Sequence, residues 1–417
     1  MKILFMSSSF NGGGITSFGH EVANAYSKDN EFCIIIGNDK KVPINNERVK
    51  KYYYDCTSFS VKNAKQIINL INNEIQPDVI IGSNAKVLPV IAQFLNDDIS
   101  IITVSHSLKY TEADVAAMAH RYCDHIIAGS EYNLVYMAKK FGIKNRNKIK
   151  VVYNFVKDYT NRGEALKGKI ENEIPSIVFV GGCAPSKTPE LVVQVIRKLV
   201  KTDIRFKFTW VGYTNIHLSR HFPFLHIRDV KQLMPNDSRV TFAGRLPTRE
   251  DAENVLASAN ILLAPSRREG CPMSFLEAIR VGVIAVVADY PNFNREIVEK
   301  GGFGYVCPHN NVDAFVERIT EICKNPTTHS YMYDNAYNTF KSELNFDTWK
   351  SRMDKLIYSS NRSHVKRSSK VSSSKLCINI IRLKLLSIES KVKLTLFEDL
   401  KVLFRMWRLK KREFLNQ

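Results

Sequence analysis

At 417 residues the chain is too long for one ordinary core, so two domains are expected. Its 44% hydrophobic content is globular, and no apolar run approaches the roughly 20 residues that span a bilayer. The charge of +19 is uneven: residues 361–417 carry 15 Lys/Arg against 4 Asp/Glu, a net +11, which leaves an unremarkable +8 on residues 1–360. No nucleic-acid module pattern is visible, so nucleic acid is not an expected partner. The opening "MKILFMSSSFNGGG" has too short an apolar stretch for a secretory signal. Eight cysteines without a Cys-x-x-Cys pair read as reduced thiols of a cytoplasmic protein, with no metal site expected.

Along the chain, "KILFMSSS", "FCIIIG", "DVIIGSN", "ISIITVSHS", "HIIAGS" and "KIKVVYN" read as buried strands, with helical patterns between most of them. Near-continuous apolar strands alternating with helices predict parallel α/β layers. The stretch "FVKDYTNRGEALKGKIENEIPS" is polar and irregular, a linker by composition. The alternation then restarts with "SIVFVGG", "RFKFTWVG", "RVTFAG", "ILLAPS", "VIAVVAD" and "GFGYVC". The expectation is an α/β protein of two facing, Rossmann-like, doubly wound domains, residues 1–160 and 170–345. A closing helix follows over 346–360, then a basic tail over 361–417. Ligands of such domains bind at the carboxyl ends of the strands.

The stretch "APSRREGCPMSFLEAIRVGVIAVVAD" carries the most chemistry. "ILLAPS" is a strand, "RREGC" the turn at its carboxyl end, and "PMSFLEAIRVG" a helix with Pro272 at its start and Gly282 at its end. First-turn amides and the helix dipole make that end an anion site suited to a diphosphate. Glu269 on the loop and Glu277 inside the helix can accept hydrogen bonds from polyol hydroxyls. Spacing alone is weak evidence in a chain that is 24% charged, and an early helical carboxylate stabilises the dipole without any function. The order strand, Ser-x-x-Glu-Gly loop, helix, glycine, strand is what gives the pair meaning.

In that context "RVTFAGRLPTREDAENVLASANILLAPSRREGCPMSFLEAIRVGVIAVVADYPNFNREIV" resembles the nucleotide-sugar-binding half of the group-one glycosyltransferases, retaining enzymes of the GT-B fold. "CDHIIAGSEYNLVYMAKKFGIKNRNKIKVVYNFV" is similar to the end of their N-terminal domain, and the resemblance covers about residues 1–358. It implies that Glu269 contacts donor-sugar hydroxyls and Glu277 the ribose. Gly270, Cys271, Pro272 and Met273 would supply backbone amides, and Lys187 in "VFVGGCAPSKTPE" would pair with the diphosphate. Where the family usually has Gly-Arg, this chain has Gly181-Gly182, so Arg245, Arg267 or Arg268 would have to replace the missing cation. Gly13 and Gly14, in the glycine triplet that begins at Gly12 after the first strand, would lie near the donor phosphate. That triplet is not the Gly-x-Gly-x-x-Gly fingerprint. His106 in "TVSHSLKY" matches the histidine beside the reacting sugar. Asn154 reads as a hinge, and Glu296 in "NREIV" equally as a helix cap or a nucleotide contact.

The activity so implied is retaining transfer of a hexose from a nucleotide diphosphate sugar to a glycan or lipid-linked acceptor. No metal or other cofactor is expected. Two alternatives remain: a nucleotide-sugar epimerase on the same fold, against which the Glu-x7-Glu context weighs, and a non-catalytic basic protein that binds membrane or nucleic acid. In the tail, "NRSHVKRSSKVSSS" reads as a flexible linker. Leu396, Phe397, Leu400, Leu403, Phe404 and Trp407 form an apolar stripe opposite Lys401, Arg405, Arg408 and Arg412. That helix either packs on the enzyme or another copy, or rests on an anionic membrane, making the protein peripheral on the inner face of the plasma membrane.

Overall fold

The structure, a computed structural model, describes all residues except 9–13, 38–45, 55–59, 107–109, 160, 172, 217–228, 359–364, 369, 392–400, 403 and 410–417. The elements run β1 Lys2–Ser7, α1 Gly14–Tyr26, β2 Glu31–Ile36, β3 Val49–Tyr53, α2 Val61–Asn69, β4 Val79–Ser83, α3 Leu88–Ile91, β5 Ser100–Ser105, α4 Tyr110–Met118, β6 His125–Ala128, α5 Glu131–Phe141 and β7 Ile149–Val151. They continue with α6 Arg162–Glu171, β8 Ser176–Val180, α7 Pro189–Leu199, β9 Lys207–Val211, β10 Val240–Gly244, α8 Arg249–Ser258, β11 Ile261–Ala264, α9 Met273–Arg280, β12 Ile284–Ala288, α10 Phe293–Gly301, β13 Gly304–Cys307, α11 Val312–Lys324, α12 Ser330–Thr339, α13 Phe346–Tyr358 and α14 Ser373–Lys391. Each strand read from the sequence is present. The edge strand β3, "VKKYY", was not read, because its lysines break the apolar run.

The chain forms two compact units: residues 1–154 with 347–390, and residues 155–346 with 391–417. Unit 1 holds a seven-stranded parallel sheet in the order β3-β2-β1-β4-β5-β6-β7. Unit 2 holds a six-stranded parallel sheet in the order β10-β9-β8-β11-β12-β13. Strand order reverses at β1 in the first sheet and at β8 in the second. The crevices there lie between β1 and β4 and between β8 and β11. The central strands are buried on both faces, which is why they read as unbroken apolar runs: β4, β5, β11 and β12 have no exposed residue.

Local signals set the helix ends. Ser60, Ser130 and Asn311 cap α2, α5 and α11 through their side chains, and Thr248 with Asp251 forms a capping box on α8. Gly282, at φ +69 after α9, approaches the Tyr333 carbonyl so closely that a Cβ would lie 2.8 Å from its oxygen.

Two expectations about connecting segments are corrected, and the closing helix is present as α13. The polar stretch after Asn154 contains α6, whose Lys169 is 1% exposed and donates to the carbonyls of Val281 and Gly282. The closing helix α13 belongs to unit 1. There Trp349 packs edge-on to Phe18 at 6.2 Å and Tyr26 Oη donates to Asp354 at 2.8 Å. The Ser-rich basic segment is no linker where it is described. The Arg367 guanidinium donates to the carbonyls of Asn96 at 2.7 Å, Ile99 at 2.9 Å and Tyr122 at 3.0 Å. With the Asp124 carboxylate at 3.4 Å, four partners around one cation hold the chain against unit 1, and Leu376, Ile380 and Leu383 of α14 then enter its core.

In the tail beyond α14, residues 401–402 and 404–409 are helical. Val402 and Met406 are buried in the core of unit 2, whereas Phe404 is 51% exposed. The described part of this helix therefore packs on its own unit; of the stripe read in the sequence, Trp407 packs against that core and Phe404 does not. Leu396, Phe397, Leu400, Leu403 and Arg412 lie outside the described residues.

Candidate functional site

In unit 2 the site grows from the loops after β8 and β11, on either side of the reversal point. The β8 chain turns at Gly181 and Gly182, and a single 3₁₀ turn, Pro185–Lys187, ends at Thr188. Thr188 has φ +48, an uncommon conformation for a β-branched residue. It is held there because its hydroxyl donates to the Pro265 carbonyl and its own carbonyl accepts from Leu191 in the first turn of α7. The result is a fixed platform from which Lys187 reaches back over Gly181. A Cβ on Gly181 would stand 3.5 Å from the lysine stem.

The β11 loop meets this platform. The Arg267 and Arg268 amides both donate to the Ser186 carbonyl, and Asn292, which caps α10, donates to the Ser266 carbonyl at 2.7 Å. These ties place Glu269, only 8% exposed, with Oε1 2.6 Å from Lys187 Nζ. Gly270 and the buried Cys271 lead to Pro272, the N-cap residue of α9, which supplies no side-chain cap bond. Met273 is the first helical residue and Glu277 the fifth, half-buried. First-turn amides lack acceptors within a helix, so an anion placed between Lys187 and this end meets a cation and a dipole together.

The three arginines proposed as replacements differ. Arg267 turns away to the buried carboxylate of Glu190 at 3.6 Å and to the face of Tyr290. Arg245, exposed at the end of β10, donates to the Tyr213 hydroxyl at 3.1 Å. Arg268 is half-buried on the loop. Gly182 is roomy: a Cβ there would make only ordinary contact with Tyr213, at 3.8 Å and beyond. Glu296 lies in the first turn of α10, but the cap is Asn292. Sequence reading also missed Arg280, 2% exposed, whose guanidinium lies 2.7 Å from Glu253 Oε1 and from the Lys157 carbonyl that accepts from it. An arginine in an otherwise apolar helix face gave no signal that it was buried.

In unit 1, His106 follows β5, with Nε2 2.7 Å from Ser83 Oγ at the end of β4 and its ring edge-on to Phe18 at 4.7 Å. Burial takes its pKa down to about 4, so the ring is neutral near pH 7. The Lys86 amide donates to Ser8 Oγ, which closes the crevice between β1 and β4. Gly14 begins α1, while Gly12 and Gly13 lie outside the described residues. Asn154 is the last residue of unit 1 before the chain passes into unit 2. Among the described residues no cluster of three His, Cys, Asp or Glu side chains is placed to hold a metal ion.

Two parallel sheets with ligand-competent loops at the reversal of unit 2 define a GT-B protein, and the comparisons agree. The Anabaena HepE crystal structure in complex with UDP superimposes with a TM-score of 0.68 at 16% identity, covering 86% of this chain and all of that one. The family profile described as glycosyl transferases group 1 matches residues 164–339, and that described as glycosyltransferase family 4 matches residues 12–158. The chain belongs to the group-one glycosyltransferases. It is 24% identical over 341 residues to an uncharacterized glycosyltransferase of Haemophilus influenzae, spanning 78% of this chain and 90% of that protein. It is 23% identical over 164 residues to the UDP-Gal:alpha-D-GlcNAc-diphosphoundecaprenol alpha-1,3-galactosyltransferase of Escherichia coli, spanning 39% of this chain and 40% of that one.

Proposed function

We propose that this glycosyltransferase moves a hexose from a nucleotide diphosphate sugar to a hydroxyl of a glycan or lipid-linked acceptor, with retention of configuration and without a metal ion. The observation that carries the reading is the Lys187–Glu269 pair beside the start of α9. Without donor, cation and carboxylate neutralise each other. A diphosphate takes over Lys187, and the sugar hydroxyls take over Glu269. When the bond from the anomeric carbon to the phosphate oxygen breaks, the electron pair leaves with the diphosphate. Lys187 and the amides from Gly270 to Met273 stabilise that charge. The acceptor oxygen attacks on the same face, and the departing phosphate takes its proton. Glu269 positions the sugar and Glu277 the ribose, and the family resemblance assigns the neutral His106 of unit 1 to the reacting sugar.

The neighbour HepE binds UDP, and the name of the E. coli relative specifies a UDP sugar and a diphosphoundecaprenol-linked acceptor. Both favour a uridine donor, and the name of the E. coli relative favours a lipid-linked acceptor. The test is nucleoside diphosphate release across a panel of nucleotide sugars, with the anomeric configuration of the product read by NMR. Release that a chelator abolishes would remove the metal-free mechanism. An inverted product would remove retention, and no release from any donor would remove the activity.

A further inference from the structure

Helix α14 has two apolar faces, and only one is covered. Leu376, Ile380 and Leu383 enter the core of unit 1. On the far side Ile378, Ile381, Leu385 and Ile388 stand 49%, 50%, 60% and 57% exposed. Their spacing makes one continuous ridge about 15 Å long. Exposed cations border it, with Lys375 and Arg382 along one edge and Lys384 along the other. The helix carries four basic residues and one acidic residue, Glu389. Aliphatic side chains in a row are rarely left to water, and the flanking charge says what covers them. None of the described helices is long and apolar enough to cross a membrane, so the ridge fits a helix that lies on a bilayer.

We propose that the outer face of α14 docks unit 1 on an anionic lipid bilayer, with Ile378, Ile381, Leu385 and Ile388 among the acyl chains and Lys375, Arg382 and Lys384 at the headgroups. This surface differs from the stripe over residues 396–407. It belongs to unit 1, whereas Lys187 and Glu269 belong to unit 2, and it uses none of the residues assigned to the transfer chemistry. Leu383, Lys384 and Leu386 of α14 line a cavity of about 140 Å³ with Lys86 and Asp114, so Lys384 stands between that cavity and the ridge. Lys86 is tied to Ser8 after β1, so docking would hold that end of the first sheet close to lipid.

The test is co-sedimentation of the full chain with phosphatidylcholine vesicles, with and without phosphatidylglycerol. Binding is expected only with phosphatidylglycerol and is expected to fade as salt rises. The double variant Ile381→Ser, Leu385→Ser should lower partitioning by about tenfold or more with an unchanged thermal midpoint. The triple variant Lys375→Glu, Arg382→Glu, Lys384→Glu should do the same without touching the ridge. Donor hydrolysis measured in parallel should be unchanged in both, which separates this surface from the active site. Unbound wild type, variants that pellet like wild type, or a dimer in the ultracentrifuge that Leu385→Ser dissociates would each overturn the proposal.

Discussion

Lys187 Nζ lies 2.6 Å from Glu269 Oε1, joining the loop after β8 to the loop after β11. Both side chains are largely shielded, at 22% and 11% exposure, so each charge depends on the other in the absence of donor. As a surface-loop residue, Glu269 would cost less than ~0.5 kcal/mol on substitution. Its burial changes that expectation. Lys187→Ala should destabilise unit 2 by about 1–3 kcal/mol because it strands a shielded carboxylate, and Glu269→Gln in the same chain should restore part of the loss. Both single variants should lower turnover by about 100-fold or more. Chemical denaturation and donor turnover check the two halves separately. Full activity in a folded Lys187→Ala protein would send the search for the diphosphate cation to Arg268.

How much of this could be read in advance follows from what each residue does. The twelve strands read from the sequence were legible because parallel strands covered on both faces must be apolar throughout. The edge strand β3 carries Lys50 and Lys51 and escaped notice. Helix α6 was hidden because the residue that anchors it is Lys169, whose ammonium is satisfied by two carbonyls that come from a distant turn. Arg367 misled in the same way: a basic Ser-rich segment looks solvated unless one knows that three carbonyls await the guanidinium. Glu269 and Lys187 were legible through a local motif. The contact of Arg405 with Glu190, 215 residues away, has no local signature.

The glycines after the strands of unit 2 are unequal. Gly182 has open space at its Cβ position, so Gly182→Arg should change stability by no more than ~0.5 kcal/mol. The added guanidinium, beside Tyr213, should tighten nucleoside diphosphate binding. Gly212 has φ +125, and a Cβ there would lie 2.4 Å from the Gly181 carbonyl oxygen. Gly212→Ala should therefore cost more than about 2 kcal/mol and spread the loops that carry Lys187 and Tyr213. Calorimetric titration with nucleoside diphosphate and a urea midpoint distinguish the two. Equal tolerance at both positions would refute this account of the turn.

Four histidines of unit 1 set its acid limit. Burial lowers His106 to about 4 and also lowers His20, His120 and His125. Because their folded values fall below the ordinary histidine value of 6.5, the unfolded chain binds more protons between their folded values and 6.5. Stability should be full above that window and decline as pH drops through it. Asp114, whose carboxyl is raised by burial, opposes part of the decline at its lower end. The urea midpoint should fall as pH goes from about 7 to about 5, and His106→Gln should flatten the fall. Parallel curves for the two proteins would show that the His106 ring is more solvated than its setting against Phe18 indicates.

The C-terminal helix reaches the donor loop through one carboxylate. Glu190, 2% exposed in the first turn of α7, has Arg267 3.6 Å away on one side and Arg405 3.5 Å away on the other. Burial raises its pKa and the two guanidinium groups lower it, so the charged form depends on both. Removing Arg405 leaves Arg267 as the main counter-charge and draws its guanidinium more firmly to Glu190, which shifts the loop that also carries Glu269. Arg405→Ala should thus raise the donor KM several-fold with kcat within about twofold, and Arg405→Lys should recover part of the loss. A double-mutant cycle between Arg267→Ala and Arg405→Ala should show a coupling of about 0.5–3 kcal/mol in stability. Additive effects, with donor KM unmoved by Arg405→Ala, would mean that the helix covers the core through Val402 and Met406 and has no hold on the site.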